Sequence, residues 1–170
     1  MALPTDTRGS AGGGSYFKPE QGQNKVLIVG DAISGYEYWT NESKVHRSPK
    51  KFTETPDIRT RTVDGEEIAD KQKFFWAVPV FNLKTEAVEV WQISQKGIRD
   101  SLAALQADED WGDPTNKYTI TVSKSGEGLE TKYSVTPNPV KKETEEVIKQ
   151  AKAEYDSNTP DLEAIFFGEA

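Results

Sequence analysis

The 170-residue sequence contains no cysteine and a single histidine, His46. The lack of cysteine excludes disulfide bonds, thiolate nucleophiles and cysteine-based zinc sites, and a lone histidine excludes most histidine-based metal clusters. Long apolar segments are also missing, and residues 1–15 are rich in Gly, Ser, Thr and Ala without the apolar stretch of a secretory leader. We therefore expect a cytoplasmic protein with no membrane contact, no metal and no cofactor.

A nucleotide-hydrolysing loop is also missing. Gly30 and Gly35 follow an apolar strand, as in a phosphate-binding loop, but Tyr36 and Glu37 stand where that loop needs Lys and then Ser or Thr. Because the Lys and the Ser or Thr that contact the phosphates and the magnesium ion are missing, we do not expect nucleotide hydrolysis. With few other catalytic residue types present, we expect the protein not to be an enzyme.

Basic residues are not in excess over the whole chain, since the net charge at pH 7 is −7. The acidic excess lies at the C-terminal end: residues 143–170 hold 2 basic and 8 acidic residues, whereas residues 1–100 hold 14 of each. The body of the chain can therefore carry a locally basic surface for a polyanion, although the same charges could serve solubility alone. The candidates are an acid-free window, residues 44–51, and two later arginines: Lys44, Arg47, Lys50, Lys51, Arg59 and Arg61.

A strand, a turn, a second strand and an amphipathic helix follow one another in the middle of the chain. Residues 73–81 are apolar on both sides of the predicted strand, and residues 87–93 return with branched and aromatic side chains. Ser94 stands where an N-cap is expected, and Ile98, Leu102 and Leu105 follow at helical spacing. The pattern predicts a hairpin followed by a helix.

Three further strands complete the predicted fold. Residues 25–29 and 36–40 predict one long, interrupted strand, in which Gly30 and Gly35 allow a sharp bend. Residues 117–122 and 130–135 alternate in polarity around a glycine-rich turn. Five strands with a helix between the third and the fourth are the order of the OB-fold, a small and partly open barrel. We therefore predict a mainly β protein, with a five-stranded OB-fold barrel and a C-terminal helical acidic extension.

Composition divides the chain into a flexible N-terminal arm, residues 1–15, an OB-fold domain, residues 16–140, and an acidic helical tail, residues 141–170. Within the domain, residues 41–71 are too polar for a core and predict a loop or a side hairpin. In the tail, residues 142–156 predict a helix that can lie on the barrel through one apolar side, formed by Val147, Ile148, Ala151 and Tyr155.

Four segments carry a family resemblance: Phe75-Trp76-Ala77-Val78-Pro79-Val80, Val88-Glu89-Val90-Trp91-Gln92-Ile93 with its following helix, Asp110-Trp111-Gly112-Asp113-Pro114, and Gly126-Glu127-Gly128-Leu129-Glu130-Thr131-Lys132-Tyr133. Their layout resembles that of bacteriophage single-stranded DNA-binding proteins. The resemblance implies an OB barrel that holds single strands during replication, recombination and repair. It also implies an acidic C-terminal region that engages replication or recombination proteins and competes with DNA. Because the T4-type members have a cysteine-containing zinc insertion, this chain would belong to a zinc-free branch.

Binding of single strands without sequence preference needs aromatic faces for bases and cations for phosphates. Since neighbours in a strand point to opposite faces, Tyr36 and Tyr38 share one face and Trp39 points to the other. In residues 73–81 the set that begins at Phe74 is the better core, which leaves Phe75 for binding. For each aromatic residue, packing in the core is an equally open interpretation. The predicted DNA-binding residues are Tyr36, Tyr38, Trp39, Lys44, His46, Arg47, Lys50, Lys51, Arg59, Arg61, Lys73, Phe75 and Trp91.

An apolar cluster near the C-terminus, Ile165, Phe166 and Phe167, is flanked by acids. It predicts an anchor for a replication or recombination partner, and docking back onto the barrel is the alternative. Two other functions also fit this sequence. One is a protein-interaction or assembly module on the same barrel, and the other is binding of single-stranded RNA, because stacking does not depend on the 2′-hydroxyl.

Overall fold

The apolar segment predicted as a strand forms the centre of the sheet. The computed structural model of the chain describes residues 16–167. Its elements, in chain order, are β1 (Gly22–Ile28), β2 (Ile33–Trp39), β3 (Val45–Ser48), β4 (Thr60–Val63), β5 (Glu66–Ala69), β6 (Lys73–Asn82), β7 (Ala87–Ile93), α1 (Lys96–Ala107), β8 (Ile120–Ser125), a short 3-10 helix (Gly128–Glu130), β9 (Lys132–Pro137), α2 (Lys142–Ser157) and a C-terminal 3-10 helix (Leu162–Phe166).

Both edges of β6 are paired. One edge pairs with β7, and the other pairs with β2 and then β1, so that Ile33 lies opposite Ala77 and Ile28 lies opposite Val80. Strand β3 extends the sheet beyond β2, and β8 and β9 extend it beyond β1, with all neighbours antiparallel. The prediction of one long, interrupted strand is confirmed in its pairing, because β1 and β2 share one edge of β6.

The mainly β class is confirmed, but the sheet is not closed into a barrel. Among residues 16–167, β7 and β9 do not pair with each other, although these two strands would have to join to close the sheet. Helix α1 packs against both of them. The described sheet has seven strands instead of the predicted five, because β1 and β2 are separate and β3 is added.

The two faces of the sheet are distinct. We name the side that carries Tyr36, Phe74 and Trp76 the front face, and the side that carries Glu37 and Phe75 the back face. The main core lies on the front face, where α1 covers the strands. Its buried residues are Phe17, Val26, Ile28, Val78, Val80, Trp91, Ile93, Ile98, Leu102, Tyr118, Ile120 and Val122.

The back face is covered by the C-terminal segment. Helix α2 lies on one half of this face, in a cluster that joins Leu27, Val29, Phe81 and Ala151 with the partly buried Leu83, Val88, Val147, Ile148 and Tyr155. The C-terminal 3-10 helix lies on the other half, where Ile165 joins Phe75, Ala77 and Val90 with the partly buried Ile33, Leu162 and Phe166. Both faces of β6 are therefore covered over most of its length, as its apolar composition predicts. The predicted helix over residues 142–156 is also confirmed.

Close packing explains a glycine that was expected to permit a bend. A Cβ atom on Gly35 would lie 2.6 Å from the ring of Phe166 and 2.9 Å from the carbonyl oxygen of Ser48. The absence of a side chain at this position lets the C-terminal 3-10 helix approach the backbone of β2 closely.

Helix α1 begins later than predicted. Its N-cap is Gln95, which makes no side-chain capping hydrogen bond, so the prediction of Ser94 as the N-cap is wrong. Ser94 contributes its backbone carbonyl instead, which accepts a hydrogen bond from Nη1 of Arg99 at 2.9 Å. Of the three apolar residues predicted at helical spacing, Ile98 and Leu102 are buried and Leu105 is half-buried.

The polar segment at residues 41–71 contains β3 and a separate two-stranded sheet, β4–β5, which confirms the prediction of a side hairpin. Asp64 and Gly65 form its turn with positive φ angles of 52° and 82°, the conformation that a two-residue hairpin turn needs. The predicted arm, residues 1–15, lies outside the described residues. Within residues 16–167 neither α helix is long and apolar enough to cross a membrane.

Candidate nucleic-acid interface

Aromatic rings lie side by side on the front face, where β2 pairs with β6. Tyr36 is opposite Phe74, and the two ring centroids are 5.3 Å apart with the planes inclined by 58°. Trp76 follows two residues along β6 and points to the same side. All three side chains are half-buried, so part of each ring is accessible to solvent. We refer to Tyr36, Phe74 and Trp76 as the aromatic surface.

Helix α1 places a cation over this aromatic surface. The guanidinium carbon of Arg99 lies 5.0 Å from the ring centroid of Phe74. Its Nη1 atom donates hydrogen bonds to the backbone carbonyls of Phe74, at 3.1 Å, and of Ser94, at 2.9 Å. Arg99 forms no ion pair with any residue in the described range 16–167. Among the described residues, its guanidinium is therefore held in place by neutral groups: two backbone carbonyls and the ring of Phe74.

Tyr38 belongs to the same face but is covered. The ring of Phe52 packs edge-on against it at 4.9 Å, and the ring of His46 lies 5.1 Å away. Phe52 is held by Gln72, which accepts from its backbone nitrogen at 2.8 Å and donates to its carbonyl oxygen at 2.9 Å. Burial, followed by the negative charge of Asp57, raises the pKa of Tyr38 above its usual value of 10.0. Tyr38 therefore supports the sheet, whereas the exposed ring of His46 is accessible.

Two exposed lysines follow strand β3, which is paired with the strand that carries Tyr36. Ser48 is paired directly opposite Tyr36, and its Oγ atom accepts a hydrogen bond from the backbone nitrogen of Lys50 at 3.1 Å. Lys50 and Lys51 are exposed, and neither forms an ion pair within the described part of the chain. Their ammonium groups can contact phosphates of a strand that lies on the aromatic surface.

Two of the predicted cationic contacts lie on the back face. The Nε atom of Arg47 is 3.1 Å from Oε1 of Glu37, and these side chains are only 14% and 10% exposed. Nη2 of Arg47 also donates to Oε1 of Gln92 at 3.3 Å. Lys73 is paired opposite Glu37 and shares this side of the sheet. The prediction of Arg47 as a phosphate contact is therefore corrected, because its charge is used in a mostly buried ion pair.

The remaining predicted cations lie around the end of the β2–β3 hairpin. Lys44 is exposed in its turn, and Arg59 lies with its guanidinium carbon 5.7 Å from the ring centroid of Trp39. Arg61 belongs to β4, where its Nε atom is 3.0 Å from Oδ1 of Asp70. This group is separate from the aromatic surface, because Trp39 points to the back of the sheet.

Two residues predicted to stack on bases have no accessible ring. Phe75 has 0% exposure and Trp91 has 2%. The ring of Phe75 lies 6.3 Å from that of Phe166, and Trp91 packs edge-on against Phe17 at 5.5 Å. In the set predicted as core, Val78 and Val80 are buried, whereas Phe74 and Trp76, near the start of the strand, are half-buried. The prediction of Phe75 for binding is wrong, because its ring belongs to the core on the back face.

The apolar cluster predicted to bind a partner is divided. Ile165 is 6% exposed and packs on the back face, and Phe166 is half-buried beside it. Phe167 is 84% exposed. Docking back onto the sheet, the alternative left open by the sequence, therefore describes Ile165 and Phe166, and of these three residues Phe167 is the one whose side chain can meet a partner.

Sequence reasoning missed Phe74, Trp76 and Arg99 as candidate contacts. The apolar composition of both sides of β6 indicated that other elements cover both faces of the strand. It did not indicate over which residues of β6 each face is covered. Nothing in the sequence marks Arg99 as a contact, because only the three-dimensional packing places α1 beside Phe74.

The acidic loop after α1 uses its carboxylates within the protein. Oδ1 of Asp108 accepts from the backbone nitrogens of Asp110 and Trp111, at 2.7 and 3.2 Å, and Oδ1 of Asp113 accepts from that of Thr115 at 2.9 Å. In the part of the chain that the structure describes, no group of three or more His, Asp and Glu side chains is arranged to hold a metal ion.

Comparison of the chain with protein-family models, curated proteins and solved structures found no match.

Proposed function

We propose that the protein binds single-stranded DNA without sequence preference, through the aromatic surface on the front face of the sheet. The observation that carries the proposal is the arrangement of Tyr36 and Phe74, whose centroids are 5.3 Å apart, beneath the guanidinium of Arg99. Exposed lysines at positions 50 and 51 follow Ser48, which is paired directly opposite Tyr36. Rings for bases and the guanidinium of Arg99 thus lie on the same side of the sheet, and two further cations follow the neighbouring strand.

Physical chemistry favours single strands as the ligand. A base stacked on an aromatic side chain contributes about 1–3 kcal/mol, so two or three accessible rings suffice for useful affinity. Bases in a duplex are already stacked on each other and offer no free face to Tyr36 or Phe74. Every base has such a face in a single strand, and we therefore expect little dependence on sequence.

The strand connections support an OB-like arrangement. Strand β6 pairs with β7 and with the interrupted β1–β2 strand, β1 pairs with β8, β8 pairs with β9, and α1 separates β7 from β8. This is the order of strands and helix in the OB-fold, with α1 occupying the opening between β7 and β9. OB-folds commonly bind single strands through a sheet surface, and the proposed surface lies on the front face of this sheet.

The proposed role is non-catalytic. As in the bacteriophage proteins that the sequence resembles, the protein would coat and protect exposed strands during replication, recombination and repair. Replication or recombination proteins would meet it at the acidic C-terminal region. Two observations support this contact: the glutamates of the first turn of α2, Glu143 and Glu145, are exposed, and so is Phe167.

Affinity measurements on the full chain test the proposal. A dye-labelled oligo(dT) of about 20 nucleotides should bind more tightly than a duplex of equal length, and the affinity should fall as salt rises because counterions are released from the phosphates. A uridine oligomer of the same length serves as the RNA arm. Equal binding of single strand and duplex, or no binding of either, would contradict the proposal, and exclusive binding of the uridine oligomer would change the ligand to RNA.

Substitution of the rings tests the site itself. Tyr36→Leu and Phe74→Leu keep an apolar side chain but remove the ring face, so each should weaken single-strand binding by about 1–3 kcal/mol. Phe167→Leu is the matched control, because it removes an exposed ring from the opposite end of the chain. If all three variants bind oligo(dT) as the unmodified protein does, the aromatic surface is not the site.

A further inference from the structure

An exposed tryptophan with an arginine over its ring lies on the other side of the same hairpin. Trp39 is the last residue of β2 and is 38% exposed, which is unusual for a side chain of this size. The guanidinium carbon of Arg59 is 5.7 Å from the centroid of its ring. The backbone nitrogen of Arg59 donates to the carbonyl oxygen of Trp39 at 2.8 Å, so the two residues are held together along the main chain as well.

The positive charge beside this ring is held by a neutral group. Nη2 of Arg59 donates to Oγ of Ser43 at 3.4 Å, and within residues 16–167 neither Arg59 nor the neighbouring Lys44 forms an ion pair. The next arginine along the chain, Arg61, shows the contrast, because it is paired with Asp70 at 3.0 Å. A cation stacked on one part of an indole leaves the rest of the ring for a base and its own charge for a phosphate.

This group cannot belong to the aromatic surface. Trp39 and Tyr36 are three residues apart on one strand, which is about 10 Å along the chain, and they point to opposite faces. A ligand that contacts only the front face therefore does not reach Trp39. A ligand that contacts both must pass around the free end of the β2–β3 hairpin, and Lys44 is exposed in the turn at that end.

We propose that Trp39, Arg59 and Lys44 form a second contact for single-stranded DNA, and that the strand passes from the aromatic surface around the end of the β2–β3 hairpin to reach it. The inference rests on the proposed function. It adds that the binding site extends over two faces of the sheet, so a short oligonucleotide fills only the front face and a longer one also stacks on Trp39.

The test compares two lengths of dye-labelled oligo(dT) on the full chain, about 4 and about 20 nucleotides, which span the range of site sizes known for OB-folds. Trp39→Leu should weaken binding of the longer oligonucleotide by about 5- to 150-fold, the loss of one stacked base. It should leave the affinity for the shorter one unchanged. Tyr16→Leu is the matched control, because Tyr16 is similarly exposed, at 40%, but lies against Val90 of β7.

Lys44→Gln provides a second variant that does not depend on the packing of a tryptophan. It should reduce the salt dependence of binding by about one unit of slope for the longer oligonucleotide only. The inference is overturned if both variants bind the longer oligonucleotide like the unmodified protein, or if they weaken both lengths equally. If Tyr36→Leu still loses affinity in that case, the proposed function stands without the second contact. Failure of the unmodified chain to bind either length overturns the proposed function itself.

Discussion

The front and back faces of the sheet carry similar side chains but differ in what covers them. Phe74 and Phe75 are adjacent residues of β6, and one is half-buried beside Arg99 whereas the other has 0% exposure beneath the C-terminal 3-10 helix. The front face is covered by α1 only over part of its length, and the back face is covered by α2 and the 3-10 helix together. The comparison shows that a distant segment, and not the strand itself, decides which ring is available to a ligand.

Removal of the C-terminal segment uncovers the back face, and it should have the largest effect on stability. A chain that ends at Val140 exposes four side chains that are now at most 3% exposed: Leu27, Val29, Phe75 and Phe81. Each loses about 1.5–3 kcal/mol of burial, and the sum is comparable with the whole stability of a typical domain. We expect the truncated protein to be insoluble or to lack a cooperative melting transition by circular dichroism.

A charge control separates this structural role from regulation by an acidic tail. Replacing the exposed Glu143 and Glu145 with Gln removes two negative charges but keeps α2 in place. This variant should therefore melt like the unmodified protein. If the chain that ends at Val140 instead keeps its melting temperature and binds oligo(dT) more tightly at low salt, the segment acts as a competitor for DNA and does not support the sheet.

The next largest effect should come from a single ring on the back face. Phe75→Ala should reduce the free energy of unfolding by about 3–5 kcal/mol, because it leaves a cavity beneath Ile165 and Phe166. Phe74→Ala should cost roughly half as much, since part of that ring is already in solvent. Urea unfolding of both variants measures the difference, and equal reductions would show that the two faces are equally buried in solution.

Much of the fold follows from the sequence, and the exceptions have a common cause. The β6–β7 hairpin, α1, the β8–β9 hairpin and α2 are predicted from patterns within a few residues, since alternation and helical spacing are local properties. The choice between the two faces of β6 is not local. It depends on contacts with Ile165 and Phe166, about 90 residues later in the chain. The prediction of Phe75 as a binding residue is wrong because this cluster docks back onto the sheet, the alternative that the sequence left open, and covers the ring.

The candidate site shows the same limit. The aromatic and basic residue types of residues 36–51 are evident in the sequence, and the alternation of β2 correctly separates Tyr36 from Trp39. Arg47 could not be separated from Lys50 in this way, because its role depends on Glu37 in the neighbouring strand. The sequence alone does not determine the register between neighbouring strands, and so it does not determine which of their side chains meet.

Substitution of cations at two places in the sheet should have a smaller effect on stability. Arg47→Ala leaves Glu37 unpaired in a mostly buried position, which should cost on the order of 3 kcal/mol of stability. Lys50→Glu combined with Lys51→Glu should change stability by no more than about 0.5 kcal/mol, since both side chains are exposed. The lysine variant should instead weaken oligo(dT) binding and flatten its salt dependence by about one unit of slope for each phosphate that is no longer bound. A lysine variant with unchanged salt dependence would contradict the placement of phosphates beside Tyr36.

The smallest effect concerns Tyr38, the buried ring that lies next to the aromatic surface on the front face and is covered by Phe52. Burial, with a contribution from Asp57, raises its pKa in the folded protein above the ordinary value of 10.0. As pH rises past about 10, the unfolded chain releases this proton before the folded protein does, so the unfolded state gains stability and the free energy of unfolding falls.

Tyr38→Phe removes the titrating hydroxyl but keeps the ring against Phe52, and the unfolding free energy of this variant should therefore fall less steeply between about pH 10 and pH 11. The two proteins should show the same dependence between about pH 8 and pH 9, where the tyrosine is protonated in both states. Tyr118, whose pKa is raised in the same direction, is present in both proteins and cancels in the comparison. Equal slopes above about pH 10 would show that Tyr38 is not held away from solvent by Phe52 and His46.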